Sequence, residues 1–101
     1  MILIMCTVGN EENAGLIAGA LVEEKLAACV NVVPKVRSVY SWKGEIVEDS
    51  ELLLIIKTRS ELYEKVEERI KELHNYEVPE IIAFDIAKGS KEYLDWIAGS
   101  V

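Results

Sequence analysis

Basic charge is the scarcest resource of this chain. Eleven lysines and arginines face eighteen aspartates and glutamates, a net charge of −7. A phosphate backbone needs a basic stripe and an anionic lipid surface needs a basic patch, so nucleic acid and membrane are excluded as partners. Histidine occurs once. With a single imidazole and no GxSxG elbow, the usual nucleophilic triads are ruled out. No phosphate loop, GxGxxG turn, HExxH pair or calcium loop occurs. No nucleophile–base pair is visible, and the expectation is that the chain is not an enzyme. Cysteine occurs twice, at Cys6 and Cys29, without CxxC spacing. Small secreted domains carry denser, even sets, so these read as reduced thiols and the expected compartment is the cytoplasm. The apolar start, Met1 to Met5, is too short for a signal core or a membrane span and lacks a basic flank.

Apolar residues, in contrast, make up 50% of the 101 residues. That length is one domain, residues 1–101, with no repeats or linkers. A domain so small buries only around two-thirds of its unfolded surface. An apolar share this high therefore points to a second buried surface, an interface.

Met1 to Val8 is a continuous apolar run ending at Gly9-Asn10, the pattern of a central strand. Asn10 is placed to cap a helix that Glu11 and Glu12 open, running to about Lys25 with Ala14, Ile17, Ala18, Leu21 and Val22 on one stripe. Ala28 to Trp42 alternates as a second strand, with Pro34 predicting a bulge. Lys43-Gly44 signals a turn into a third strand, Glu45 to Thr58. Ser60 is placed to cap a second helix, Glu61 to about His74, laced by the pairs Glu61–Lys65 and Glu67–Lys71. Glu80 to Ala87 follows Val78-Pro79 as a fourth strand, and Ser90 caps a last short helix.

The element order, β-α-β-β-α-β plus a C-terminal helix, predicts an α+β fold. Two right-handed crossovers around a hairpin give a ferredoxin-like sandwich with a four-stranded antiparallel sheet ordered 4-1-3-2. Each hairpin arm is about 14 residues, roughly 45 Å at ~3.3 Å per residue. The outer strands are about half that, so the hairpin overhangs its own domain with Tyr40 and Trp42 on it. An unsupported ribbon bearing aromatics is unstable alone, and packing on a second copy is the simplest remedy. Tyr40 and Trp42 read as interface anchors or as a binding platform.

The same topology gathers Cys6, His74, Tyr76 and Glu80 at one end of the sheet. A thiolate, an imidazole and a carboxylate together suit copper or zinc. Each has a plainer reading: Cys6 as core, His74 as a cation at a helix C-terminus, Glu80 as a strand start. At the other end, counting back from the turn sets Cys29 opposite Thr58, and a bulge at Pro34 slips it to Lys57, where a lysine lowers a thiol's pKa.

On these residues the chain resembles the CutA divalent-cation-tolerance family. The resemblance is carried by Glu24–Asn31 (EKLAACVN), Ser38–Gly44 (SVYSWKG), Ile56-Lys57-Thr58, His74–Glu80 (HNYEVPE) and Tyr93-Leu94-Asp95-Trp96. It implies a homotrimer of ferredoxin-like subunits, similar in architecture to PII signalling proteins, acting in divalent-cation tolerance and binding a divalent metal such as copper. By this resemblance Cys6 and His74 are the metal candidates. Cys29, Trp42, Lys57, Tyr76 and Glu80 are the intersubunit cleft, and Tyr40 and Trp42 lie at the trimer interface. The alternative it leaves open is a PII-like sensor or scaffold that takes a small ligand or a protein partner in that cleft.

Overall fold

The computed structural model describes residues 1–101. The apolar run at the N-terminus becomes β1, Ile2–Val8, and its alternation decides the layers. Ile2, Ile4, Cys6 and Val8 are buried while Leu3, Met5 and Thr7 are half-buried. Successive strand residues point to opposite faces, so β1 serves two environments. Helix α1, Glu11–Glu23, starts where Asn10 accepts a hydrogen bond from the Asn13 backbone N–H at 2.7 Å. It buries Ala14, Ile17 and Leu21 against the first face, while Val22 at the stripe's edge stays exposed. Helix α2, Tyr63–Leu73, adds Val66 and Ile70 to the same core.

The hairpin strands are β2, Cys29–Trp42, and β3, Glu45–Thr58, joined at Lys43 and Gly44. Both turn residues have positive φ, 51° and 83°, the backbone that matches strand twist in a two-residue hairpin and that glycine adopts without strain. With β4, Ile82–Asp85, the sheet order is β2-β3-β1-β4, the predicted 4-1-3-2 read from the other edge. All pairings are antiparallel. The bulge falls between Val33 and Val36, around Pro34, and sets Cys29 opposite Lys57. A C-terminal helix α3, Lys91–Ser100, is capped by Ser90.

Three local expectations are corrected. Strand β4 has four residues because β1 pairs with it only from Ile2 to Met5, and the chain from Glu80 diverges before reaching Cys6. Ser60 does not cap α2: it sits in a 3-10 turn, Ser60–Leu62, and neither the turn nor the helix has a side-chain cap. Glu61 pairs with Arg59 at 2.8 Å rather than with Lys65, whereas Glu67–Lys71 forms at 3.7 Å.

The ladder explains the molecule's shape. Strand β1 pairs with β3 from Leu52 to Thr58 only. Residues Glu45 to Glu51 therefore pair with β2 alone, as a two-stranded ribbon beyond the sheet. Only 18 of 101 residues are buried, and they concentrate on the helix-covered face. Leu54 is fully buried in that core and Ile46 on the ribbon is 78% exposed. Leu54→Ala is expected to lower the guanidinium unfolding free energy by about 2–5 kcal/mol, against about 0.5 kcal/mol or less for Ile46→Ala, compared at one protein concentration.

Candidate functional site

Where β3 leaves the sheet, the ribbon and the α2–β4 connection face each other across a cavity of about 710 Å³. Thr7 forms its floor, Tyr40, Trp42, Asp49 and Glu51 come from the ribbon, and Tyr76 and Glu80 come from the connection. What holds the connection in place is His74. Its Nδ1 accepts the backbone N–H of Tyr76 at 3.0 Å. That nitrogen carries no proton, so the neutral ring bears its proton on Nε2, which donates to the Thr7 carbonyl at 2.7 Å. The imidazole thus staples the end of α2 to the end of β1. Asn13 adds a second tie, its amide nitrogen donating to the Leu73 carbonyl at 3.0 Å.

Tyr76 then reaches across the cavity and donates to Glu51 Oε2 at 2.7 Å. Gly9 lets it pass, since a Cβ there would meet the phenol oxygen at 3.0 Å. Burial, followed by the bond to Glu51 and the nearby carboxylate charges, pushes the Tyr76 hydroxyl well above the usual tyrosine range. Tyr40 donates to Asp49 in the same way, and that bond raises its hydroxyl too.

The predicted metal pair does not fit a metal ion. The Cys6 side chain points into the helix-covered core, fully buried. Burial, then the charges of Glu80 and Glu51, push its thiol up to about 12, and its sulfur faces the Thr7 carbonyl at 3.8 Å. A ligating cysteine must be a thiolate, which this environment opposes. His74 has both ring nitrogens committed, and a metal would have to break one of its two bonds. No group of three or more histidine, cysteine, aspartate or glutamate side chains is gathered as a ligand set. Copper or zinc chemistry at Cys6 and His74 is therefore replaced by a structural role for each.

The predicted cleft set divides in two within one chain. Trp42, Tyr76 and Glu80 line the cavity. Cys29 and Lys57 are paired at the opposite end of the sheet. There Lys57 Nζ donates to the Tyr93 hydroxyl at 3.3 Å and lies 5.5 Å from that ring's centroid, and Tyr93 stacks on Trp96. Tyr40 and Trp42 stand exposed on the ribbon, as an anchor or a platform requires. Sequence reasoning missed Glu51. It sits in an acidic run that reads as a solvated arm, yet it is only 5% exposed. No local signal marked it, because its partner is Tyr76, twenty-five positions away.

Residues 2–100 match the family described as "CutA1 divalent ion tolerance protein". The "Divalent-cation tolerance protein CutA" of Thermus thermophilus is 57% identical over 95 residues, 94% of this chain and 92% of that protein. The chloroplastic CutA protein of Arabidopsis thaliana is 50% identical over 99 residues, 98% of this chain and 54% of the relative, so the chain spans about half of its length. A solved structure, the divalent cation tolerance protein (Cut A1) from Thermus thermophilus, superposes with a TM-score of 0.96 at 54% identity, covering 99% of this chain and 98% of that one.

The buried thiol gives a test with a definite sign. In a Cys29→Ser variant the remaining Cys6 is expected to stay unreactive toward a thiol reagent until the chain unfolds. Its folded pKa lies above its unfolded value, so the folded state holds the proton longer and stability falls as pH rises. The loss of Tm between roughly 8.5, the ordinary thiol value, and about 12 is expected to be smaller in Cys6→Ala than in the parent, measured by thermal melts across that range.

Proposed function

The chain belongs to the CutA1 divalent ion tolerance family, and from that premise we propose that it acts in divalent-cation tolerance as a cytoplasmic, non-enzymatic homotrimer. One observation carries the trimer: the second face of the sheet, which α3 meets at Lys57 through Tyr93, leaves large apolar side chains exposed. Cross-strand partners share a face, so the register puts Leu3 with Phe84, and Met5 with Ile55 and Ile82, on the side away from α1 and α2. Ile82 is 46% and Phe84 51% exposed. Apolar surface of this kind on a chain that buries so little else is relieved by a copy of itself, and closed symmetry is the common solution. The projecting ribbon, with Tyr40 and Trp42, supports the same reading.

A non-enzymatic role is supported by the committed imidazole of His74 and the burial of the Cys6 thiol in the core. The two free cysteines suit a reducing compartment. Copper or another divalent cation meets this protein through surface carboxylates in the present proposal, since Cys6 and His74 are engaged elsewhere. The second reading, a PII-like sensor or scaffold, is favoured by the cavity at the ribbon's base, whose volume is that of a small-ligand site.

Sedimentation equilibrium is expected to return three times the 11.3 kDa chain mass. Phe84→Glu is expected to shift the protein toward the single-chain mass. A monomeric parent at micromolar concentration sinks the trimer. In parallel, a copper titration of Cys6→Ser/His74→Gln is expected to match the parent, and loss of saturable binding there would return the metal to those two residues.

A further inference from the structure

Two charges of this chain lie on surfaces that the trimer covers, and neither has an ionic partner of its own. Glu51, at the base of the ribbon, is 5% exposed. Its Oε2 accepts the Tyr76 hydroxyl at 2.7 Å, and the carboxylate takes part in no ion pair. Lys57 is the second. Five of the eleven basic side chains form ion pairs, those of Arg37, Arg59, Arg69, Lys71 and Lys91. Among the other lysines only Lys57 is not exposed. It stands abreast of Leu3 and Phe84 on the second face of the sheet. Its polar contact within the chain is neutral, the hydroxyl and ring of Tyr93. Charges withdrawn from water are ordinarily paired, because leaving them uncompensated is costly.

The two cannot meet inside one chain. They are six positions apart on β3, roughly 20 Å at ~3.3 Å per residue. Head-to-tail packing, in which one patch meets a different patch of the next copy, removes that obstacle and is the arrangement that closes into rings. The lengths suit it. Strand β3 gives seven residues to the ribbon, Glu45–Glu51, and seven to the body, Leu52–Thr58. A ribbon can therefore run the full length of a neighbouring sheet, its base at one end and its tip at the other. With the base at the Thr58 end, Glu51 comes level with Lys57 of the partner subunit. With the base at the opposite end it would meet another ribbon base, where Asp49, Glu51, Glu77 and Glu80 gather without a basic side chain. Charge complementarity favours the first arrangement.

We propose that an ion pair between Glu51 and Lys57 of the partner subunit sets the polarity and register of the interface. The proposal rests on the trimeric reading and adds the contact that orients it. Leu3, Ile82 and Phe84 supply apolar area, which has no direction of its own. A charge pair that is made in one register and broken in the others supplies the direction. In a closed ring each copy gives one Glu51 and one Lys57, so every such charge is matched.

The test is sedimentation equilibrium of the whole protein in graded urea, which is uncharged and does not screen the pair. It reads the protein concentration at which half of the assembly has dissociated. Lys57→Met keeps the side chain's stem and removes its charge, and Glu51→Gln keeps an acceptor for Tyr76. Each alone is expected to raise that concentration about tenfold or more. Lys57→Glu sets carboxylate against carboxylate and is expected to raise it further. In that background Glu51→Gln is expected to reverse its sign and strengthen the assembly. Circular dichroism establishes that each variant is folded. A trimeric parent that Glu51→Gln strengthens, or in which it acts equally in both backgrounds, overturns the proposal. So does a Tyr93→Phe variant weakened as much as Lys57→Met, because Lys57 then acts through its own α3. Lys65→Met, exposed on α2, is expected to change nothing, and an equal loss there overturns the pair as a general effect of net charge. A monomeric parent removes the trimer and the pair with it, whereas a trimeric parent without coupling removes the pair alone.

Discussion

Unequal strand length governs this molecule. Strand β3 has fourteen residues, β1 seven and β4 four. A sheet can be no wider at any point than the strands that reach it. At the Thr58 end four strands lie side by side, at Leu52 three remain, and beyond it only the hairpin ribbon continues. Two-stranded ribbons are marginal in water without further packing. Everything distinctive about the surface follows from this taper: the exposed aromatics of the ribbon, the open flank above Thr7, and the cavity that occupies the flank. A bulge around Pro34 sits at the same level, where the added twist of a bulge can turn the ribbon away from the plane of the body.

The flank would be a gap if the α2–β4 connection were loose. His74 prevents that by accepting one backbone hydrogen bond and donating another, to groups sixty-seven residues apart in one case and two in the other. Each bond satisfies a main-chain group that would otherwise be left unpaired near the core, and leaving such a group unpaired costs about 1–3 kcal/mol. Tyr76 extends the staple across to Glu51. The ribbon's base is thus tied to the body by side chains at the level where the backbone ladder gives out. The same tie engages one oxygen of the Glu51 carboxylate.

The architecture was legible because its signals are periodic and local. The alternation of β1, the stripes of α1 and α2, the Lys43-Gly44 turn and the effect of Pro34 on register each follow from one segment of sequence, and order plus handedness then leaves one sheet. The site was legible only as a neighbourhood. Trp42, Tyr76 and Glu80 do meet, as topology requires. Cys6 and His74 lie near that place but serve other ends, because side-chain direction and hydrogen-bond commitment are three-dimensional facts. Cys6 is an even position of a strand whose even positions face the helices, which a stricter use of alternation would have caught. The commitment of both His74 nitrogens depends on a carbonyl of β1 and had no local sign. Glu51 hid in an acidic run, and its burial comes from Tyr76, a residue twenty-five positions away.

A family defined by tolerance of divalent cations invites the search for soft ligands, and this chain contains the residue types to encourage it. The decisive quantity is availability, not identity. A thiol whose environment holds its proton to about 12 and an imidazole with no free lone pair do not compete for a soft metal, however well their types suit one. The same comparison, of which donor atoms remain uncommitted once the fold's own hydrogen bonds are satisfied, separates ligands from structural residues wherever cysteine and histidine lie at the end of a sheet.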